Sequence, residues 1–296
     1  MSREPSAVPP ASTDSCFSLI LDCAGKQLDL GSPPQVMGIL NLTPDSFSDG
    51  GRFLNSDVAL KHALHMVEEG AAVIDIGGES TRPGAQPVSV DEELDRVIPI
   101  IERLAQAIPV PISIDTNKPL VMREAVSAGA GMINDVMALK EPGALEAAAE
   151  TAVPVCLMHM QGRPRTMQDA PHYGNVVDEV RRFLRQRLDA GEAAGIARHN
   201  MIIDPGFGFG KSLEHNLILL KELQALDELA APVLVGISRK SMIGSILGNL
   251  PVNERLMGSV AAAVVAVMGG AAIIRVHDVR ETVDAIKVAS AVRSAI

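Results

Sequence analysis

The sequence predicts an α/β chain folded as a single (β/α)8 TIM barrel with an N-terminal β-hairpin, and three observations carry that expectation. Eight short apolar runs each stop at a polar or ionisable residue, helical patterns lie between them, and a length of 296 residues suits one barrel with a short extension. The runs are 36–40 ending at Asn41, 73–76 ending at Gly77, Gly78 and Glu79, 112–114 ending at Asp115, and 132–133 ending at Asn134 and Asp135. They continue with 155–158 ending at His159, 201–203 ending at Asp204, 233–237 ending at Ser238, Arg239 and Lys240, and 273–274 ending at Arg275, Val276 and His277. Buried parallel strands read as continuous Val/Ile/Leu runs, and in a barrel all eight carboxyl ends open on one face. Polar groups far apart in sequence are therefore expected to meet in one pocket.

Residues 1–15 are rich in Ser, Pro and Ala, without the basic start and apolar centre of a signal peptide, and are expected as a disordered tail before one domain over 16–296. Segments 17–21 and 27–30 flank Cys23-Ala24-Gly25-Lys26 as a hairpin placed to cap the bottom of the barrel. Ser56 is positioned to cap a helix over 57–69 that stops at Gly70. A second helix over 90–108 carries Asp91, Glu92 and Glu93 in its first turn and Pro109 beyond its end. A long charged helix is expected over 175–194, and Ala/Val-rich helices over 253–268 and 278–295. The apolar surface of these last helices exceeds the need of one barrel side, so a homodimer through them is expected. The loops 42–54 and 80–89 are long, polar and Gly/Pro-punctuated, which suits lids over a substrate.

Composition excludes several classes. With 2% aromatic residues, no Trp and only Tyr173 among tyrosines, platforms for stacking nucleic-acid bases are missing, and a net charge of −10 disfavours phosphate-backbone binding. The longest apolar stretch, 260–274, is broken by Gly269-Gly270 and falls short of the ~20 residues of a membrane helix, so no membrane association is expected. Three cysteines, Cys16, Cys23 and Cys156, match no zinc or CxxC spacing and point to a reduced, cytoplasmic setting, with Cys156 as a small core residue.

Asp115, Asn134 and Asp204 end strands and Lys240 follows the seventh, which is either an internal salt-bridge network or a site for a flat heterocycle rich in N–H donors. Arg275 and His277, two apart at the end of the eighth strand, can both face the barrel mouth, where this fold often holds phosphate. Asn41, Asp45 and Asp49 offer hard oxygens of the kind Mg²⁺ accepts beside a phosphate, although Asn and Asp also suit turns. Gly210-Lys211-Ser212 matches the end of a P-loop, but Pro205 replaces the required first Gly, so a nucleotide-binding reading is rejected. His62 and His65 read as surface histidines, and His159 as pocket lining or support.

The segments MGILNLTPDSFSDGG from Met37, IDIGGESTRPG from Ile74, SIDTNKP from Ser113 and INDV from Ile133 closely resemble the dihydropteroate synthase family of the folate pathway. So do LMHMQG from Leu157, IDPGFGFGK from Ile203, GISRKSMIG from Gly236 and IRVHDV from Ile274, and the likeness runs from about Phe17 to the C-terminus. The resemblance implies a pterin-binding barrel that condenses 6-hydroxymethyl-7,8-dihydropterin diphosphate with p-aminobenzoate, giving 7,8-dihydropteroate and diphosphate. It implies that Asp115, Asn134, Asp204 and Lys240 hold the pterin beside an apolar wall from Met158. Asn41 would be the Mg²⁺ ligand, Thr81, Arg82, Arg275 and His277 the diphosphate holders, and Thr81, Pro83, Phe209, Lys240 and Ser241 the p-aminobenzoate subsite. The reaction itself is assigned to Asp49, Lys240, Arg275 and His277, with Asp49 stabilising a developing cation or completing the metal shell.

Departures from the family pattern are minor: Asn175 stands where Asp is frequent, which preserves a helix cap, and no insertion enlarges Thr81-Arg82-Pro83-Gly84, so sulfonamide sensitivity is expected. Two other readings are a methyltetrahydrofolate-type methyltransferase barrel and a catalytically silent pterin-binding paralogue. The first has no need of the two long loops or of Arg275 and His277, and the second requires an eroded anion or metal position, which this sequence does not have.

Overall fold

Eight strands whose residues are almost all buried line up as predicted, because each is apolar on both faces and is covered by helices outside and by side chains within. In this computed structural model the described residues are 20–31, 33–42, 52–80, 86–162, 167–168 and 170–295, with the side chains of the first helix described from Ser56 onward. The predicted tail, Cys16, the start of the hairpin, most of the first long loop and half of the second, with Asp45, Asp49, Thr81, Arg82 and Pro83, lie outside them.

Strands β1 (Ile20–Cys23) and β2 (Lys26–Asp29) pair antiparallel through a turn at Ala24 and Gly25, both at positive φ. Asp22 Oδ1 accepts from Gly25 N at 2.7 Å, which closes the turn. The hairpin is tighter than expected: pairing runs into Cys23 and resumes at Lys26, so the four residues read as a turn contain only a two-residue loop.

The barrel strands are β3 (Gln35–Asn41), β4 (Val73–Gly77), β5 (Ile112–Asp115), β6 (Met132–Asp135), β7 (Val155–Met158), β8 (Met201–Asp204), β9 (Leu234–Gly236) and β10 (Ile273–Val276). They are parallel in the order β8-β7-β6-β5-β4-β3-β10-β9. A parallel bridge between Ile203 and Val233, beside a 2.9 Å bond from Ile203 N to Pro232 O, joins the two ends of that order into a ring. Register then decides where the chemistry lies. Asn41 pairs with Gly77, Gly77 with Asp115, and Asp115 with Asn134, so the ends of four strands lie level to within one residue.

Between strands run α1 (Arg52–Glu68), α2 (Val90–Ala107), α3 (Pro119–Ser127), α4 (Ala144–Thr151), α5 (Val176–Ala193), α6 (Leu213–Lys221), α7 (Ser241–Ile246), α8 (Leu256–Met268) and α9 (Val279–Arg293). Ser89 caps α2 in a capping box with Glu92, and Asn175 caps α5 by accepting from Val177 N and Asp178 N, as the cap reading of Asn175 required. Ser56 is not a cap. Helix α1 begins at Arg52, and the Ser56 hydroxyl instead accepts from Arg103 Nη1. Helix α8 also starts later than predicted, after a 3₁₀ turn over Val252–Glu254.

Alternate strand residues point inward. The lowest inward layer, Met37, Val73, Met132, Cys156, Ile202, Leu234 and Ile273, packs directly on Leu21, Cys23, Leu28 and Leu30 of the hairpin. Gly131 permits that approach, since a Cβ there would sit 2.3 Å from Cys23 O. Lys26 Nζ clamps the hairpin to the barrel through Ile108 O at 2.8 Å and Val110 O at 3.1 Å. Burying each aliphatic side chain of this plug contributes about 1.5–3 kcal/mol. Cys156 is the core residue expected, and the 260–274 stretch divides between α8 and β10. Among the described residues no helix is long and apolar enough to cross a membrane.

Candidate active site

Moving up the same inward rows, the apolar layer gives way to charge: Val73 is followed by Asp75, Met132 by Asn134, Ile202 by Asp204 and Ile273 by Arg275. Arg275 Nε donates to Asp75 Oδ2 at 2.6 Å and Nη2 to Asp115 Oδ2 at 2.7 Å, while Asn134 Nδ2 donates to Asp75 Oδ2 at 3.2 Å. Burial pushes the Asp115 carboxyl up to about 7, against the pull of Arg275 and with the help of neighbouring Asp75. Burial also opposes charge on Arg275, but Asp75 and Asp115 more than offset it and hold the guanidinium above its ordinary value. Arg275 Nη1 takes no part in either pair.

Opposite this group, Asp204 Oδ1 accepts from Gly206 N at 2.7 Å, leaving Oδ2 toward the barrel axis. The position of a Cβ on Gly236 lies 3.9 Å from Asp204 Oδ2 and 3.9 Å from Arg275 Cδ, so the two charges meet over a residue that contributes no side chain. Burial raises the Asp204 carboxyl, opposed chiefly by Lys240. Lys240 Nζ donates to Phe207 O and lies 4.4 Å from the centroid of the Phe209 ring. Burial lowers this lysine to about 8, with Asp204 working the other way. Met158, buried, joins Val136, Met137, Met160 and Met167 in a small apolar cluster against which Phe209 packs. One wall is thus apolar and polarisable and the other is lined with acceptors, which suits a flat heterocycle with N–H donors on its edge.

Asn41 ends β3 on the same rank. Its Oδ1 lies 3.7 Å from the Cβ position of Gly77, which is itself 3.9 Å from Asp115 Oδ2. His277 is held beside β9, with Nδ1 3.1 Å from Ser238 Oγ and its backbone N donating to the same oxygen at 3.3 Å. Ser241, the first residue of α7, is exposed next to Lys240. The structure therefore brings Asn41, Asp115, Asn134, Met158, Asp204, Phe209, Lys240, Arg275 and His277 to one end of the barrel.

Sequence reasoning missed Asp75, which sits inside the apolar run 73–76 and was absorbed into it. Its signal was parity: two residues after inward Val73, on the buried face of a strand, a carboxylate needs a partner. Fully buried, it has one oxygen, Oδ1, without a hydrogen-bond partner among the described residues. Also unforeseen was the clasp at the base of the second long loop, where Lys118 Nζ binds both Glu79 and the fully buried Glu93. Lys211 is a buried group behind the site, and Ser212 caps α6 in a capping box with His215. His62 and His65 are exposed on α1, as expected.

Comparison with known proteins matches residues 37–277 to the family described as pterin binding enzymes. The chain is 58% identical over 271 residues to the dihydropteroate synthase of Escherichia coli K12, covering 92% of this chain and 95% of that protein. It superposes with a TM-score of 0.89, at 56% identity, on Xanthomonas albilineans dihydropteroate synthase with 4-aminobenzoic acid, covering 95% of this chain and 100% of the other. The same score and identity relate it to Yersinia pestis dihydropteroate synthase in a sulfonamide drug complex, over 93% of this chain and 100% of that one.

Proposed function

The chain belongs to the pterin-binding enzyme family, and we infer that it is a dihydropteroate synthase, a transferase that joins 6-hydroxymethyl-7,8-dihydropterin diphosphate to p-aminobenzoate with release of diphosphate. The observation that carries this reading is the rim where Asp204 Oδ2 and the Arg275 side chain face each other across Gly236, within reach of Asp115, Asn134 and Lys240.

In that rim the ring's amino and N–H groups find acceptors in Asp115 and Asp204, and Lys240 donates to its carbonyl or ring nitrogen. Two carboxyls that burial makes reluctant to ionise gain most from such donors, so ring binding stabilises their charged forms. The Met158 side lies against the ring as an apolar wall. As the bond from the methylene to the diphosphate breaks, negative charge gathers on the leaving group, and Arg275 Nη1 and His277 are the donors at that end of the barrel. The electron-rich ring supports the cationic methylene, the arylamine nitrogen forms the new C–N bond, and the amine then loses a proton. No side-chain nucleophile is needed. Thr81, Arg82, Pro83, Phe209 and Ser241 are assigned to the aminobenzoate and diphosphate ends, and Asp49 to the cation or the metal shell.

Asn41 fits Mg²⁺, because it offers a hard amide oxygen on the rank of Asp115 at the open end of the barrel. Bound there, the ion would neutralise charge on the departing diphosphate. A homodimer through the last two helices is supported by Met257, Ala261, Val265 and Met268, an exposed apolar stripe along α8 at helical spacing, and by exposed Val288 and Val292 on the packed neighbour α9. A cytoplasmic setting is supported by free thiols at Cys23 and Cys156. The test of the activity is direct: the purified chain, both substrates and Mg²⁺ yield equimolar dihydropteroate and diphosphate, whereas pterin binding without product would leave the silent-paralogue reading.

A further inference from the structure

Behind the rim, Lys211 is 3% exposed although nothing in the reaction uses it. Its Nζ lies 2.9 Å from Gly206 O, 3.1 Å from Phe209 O and 2.9 Å from His159 Nδ1. Those partners satisfy the group in either protonation state: an ammonium donates to all three, and a neutral amine donates to the two carbonyls and accepts from the Nδ1–H tautomer of His159. Burial drives both partners toward neutrality, with Lys211 well below its ordinary value and His159 down to about 2, the latter also repelled by Lys211. His159 is itself fixed, edge-on to Phe183 with ring centroids 4.9 Å apart and with its backbone N bonded to Asp204 O at 2.8 Å.

The two carbonyls that Lys211 grips bracket Phe207, whose own carbonyl accepts from Lys240, and the second belongs to Phe209, whose ring lies under the Lys240 ammonium. The loop has little freedom of its own. Gly206 and Gly210 take positive φ, and a Cβ at either would meet His159 O at 1.9 Å or Gln161 O at 2.4 Å. Gly208 N is held by Asn216 Oδ1 at 2.8 Å and Gly210 O by the Tyr173 hydroxyl at 2.7 Å. Those anchors hold the outer half of the loop; Gly206 O accepts from Phe209 N at 3.1 Å as well as from Lys211, and Lys211 is the side chain that ties Gly206 O and Phe209 O together.

We propose that Lys211, braced by His159, is a positioning residue: it clamps the 205–210 loop from behind and so sets the Phe207 carbonyl and the Phe209 ring that orient Lys240 toward the substrates. This rests on the synthase reading for its kinetic consequence but not for its structural one. The experiment compares Lys211→Met, His159→Asn and His159→Leu with the wild type by crystal structure and by steady-state kinetics. In Lys211→Met the loop is expected to move so that Lys240 leaves Phe207 O, and KM for p-aminobenzoate is expected to rise at least fivefold with a smaller change in kcat. His159→Asn, which keeps a polar partner for Nζ, should stay near wild type while His159→Leu follows Lys211→Met. A Lys211→Met protein with lowered melting temperature but an unmoved loop and constants within twofold of wild type would overturn the proposal. Should Lys211→Met fail to fold, the histidine pair decides: unequal effects in the stated order support the clamp, and equal effects refute it. A wild type that makes no dihydropteroate would defeat the synthase reading alone, and the loop position in the variants would still judge the clamp.

Discussion

Arg275 Nε meets Asp75 Oδ2 at 2.6 Å across 200 residues of chain, passing over β3, which lies between their strands. The pair makes Arg275 a fixed part of the barrel mouth rather than a flexible surface cation. Breaking a buried ion pair by removing one partner costs about 3–5 kcal/mol, since the other charge stays behind. Asp75→Ala should therefore lower stability by that order and, because Arg275 then relies on Asp115 alone, should also lower kcat/KM at least tenfold. Asp75→Asn, which keeps an acceptor, should recover most of the stability. Denaturant unfolding and steady-state kinetics on both variants check this; equal stability of Asp75→Ala and wild type would contradict it.

A second expectation concerns pH. Lys240, lowered by burial to about 8, loses its positive charge and with it its strong charge-assisted donation to substrate above that value, so kcat/KM should fall as pH rises through about 8. The corresponding stability effect has the opposite sign. With an unfolded value near ~10.4, the unfolded chain holds this proton between about pH 8 and 10 when the native state does not, so the contribution of Lys240 to stability rises with pH across that window. Lys240→Arg, whose charge persists, should be slower but lack the alkaline limb near pH 8. An unchanged limb in Lys240→Arg would assign it to another group.

The hairpin should matter for folding and not for chemistry. Leu28 is 3% exposed in the plug at the amino-terminal end of the barrel, away from every assigned site residue. Leu28→Ala is expected to cost about 2–5 kcal/mol and leave kcat and both KM values within twofold. A selective loss of turnover in the folded variant would show that the bottom of the barrel communicates with the top.

Sulfonamides should compete with p-aminobenzoate, given 56% identity to a relative whose structure holds a sulfonamide. Raising p-aminobenzoate should restore full turnover, with apparent KM increasing in proportion to drug and kcat unchanged. Inhibition that excess p-aminobenzoate does not relieve would place the drug elsewhere.

Association through the last helices is equally checkable. Val265→Asp places a charge in the middle of the exposed α8 stripe, where a monomer would tolerate it in water. Light scattering at micromolar concentration should show a dimer for the wild type and a monomer for Val265→Asp, with the monomer still folded. A wild-type monomer would remove the proposal.

Much of this architecture was legible because its strands announce themselves. Parallel strands covered on both faces must be apolar throughout, so a polar residue closing such a run marks the barrel mouth, as Asn41, Asp115 and Asp204 do. Asp75 was not legible in that way, since it interrupts a strand rather than ending one. What accounts for it is Arg275, a partner supplied by a distant strand. Lys211 was hidden for a related reason: its sequence neighbours imitate a phosphate loop, while its side-chain partner His159 comes from the end of a distant strand. Ser56 shows the local limit, because a cap-competent residue inside a helix reads the same as one at its start until backbone geometry is known.

The central claim is that strand-end groups from across the barrel act together on one pterin diphosphate. Asp115→Ala and Arg275→Ala, measured beside wild type for pterin diphosphate binding and for dihydropteroate formation, test it most directly. The account predicts native-like circular dichroism for both, binding weakened at least tenfold in Asp115→Ala, and product formation reduced at least a hundredfold in each. Folded variants that bind and turn over within a few-fold of wild type would contradict it.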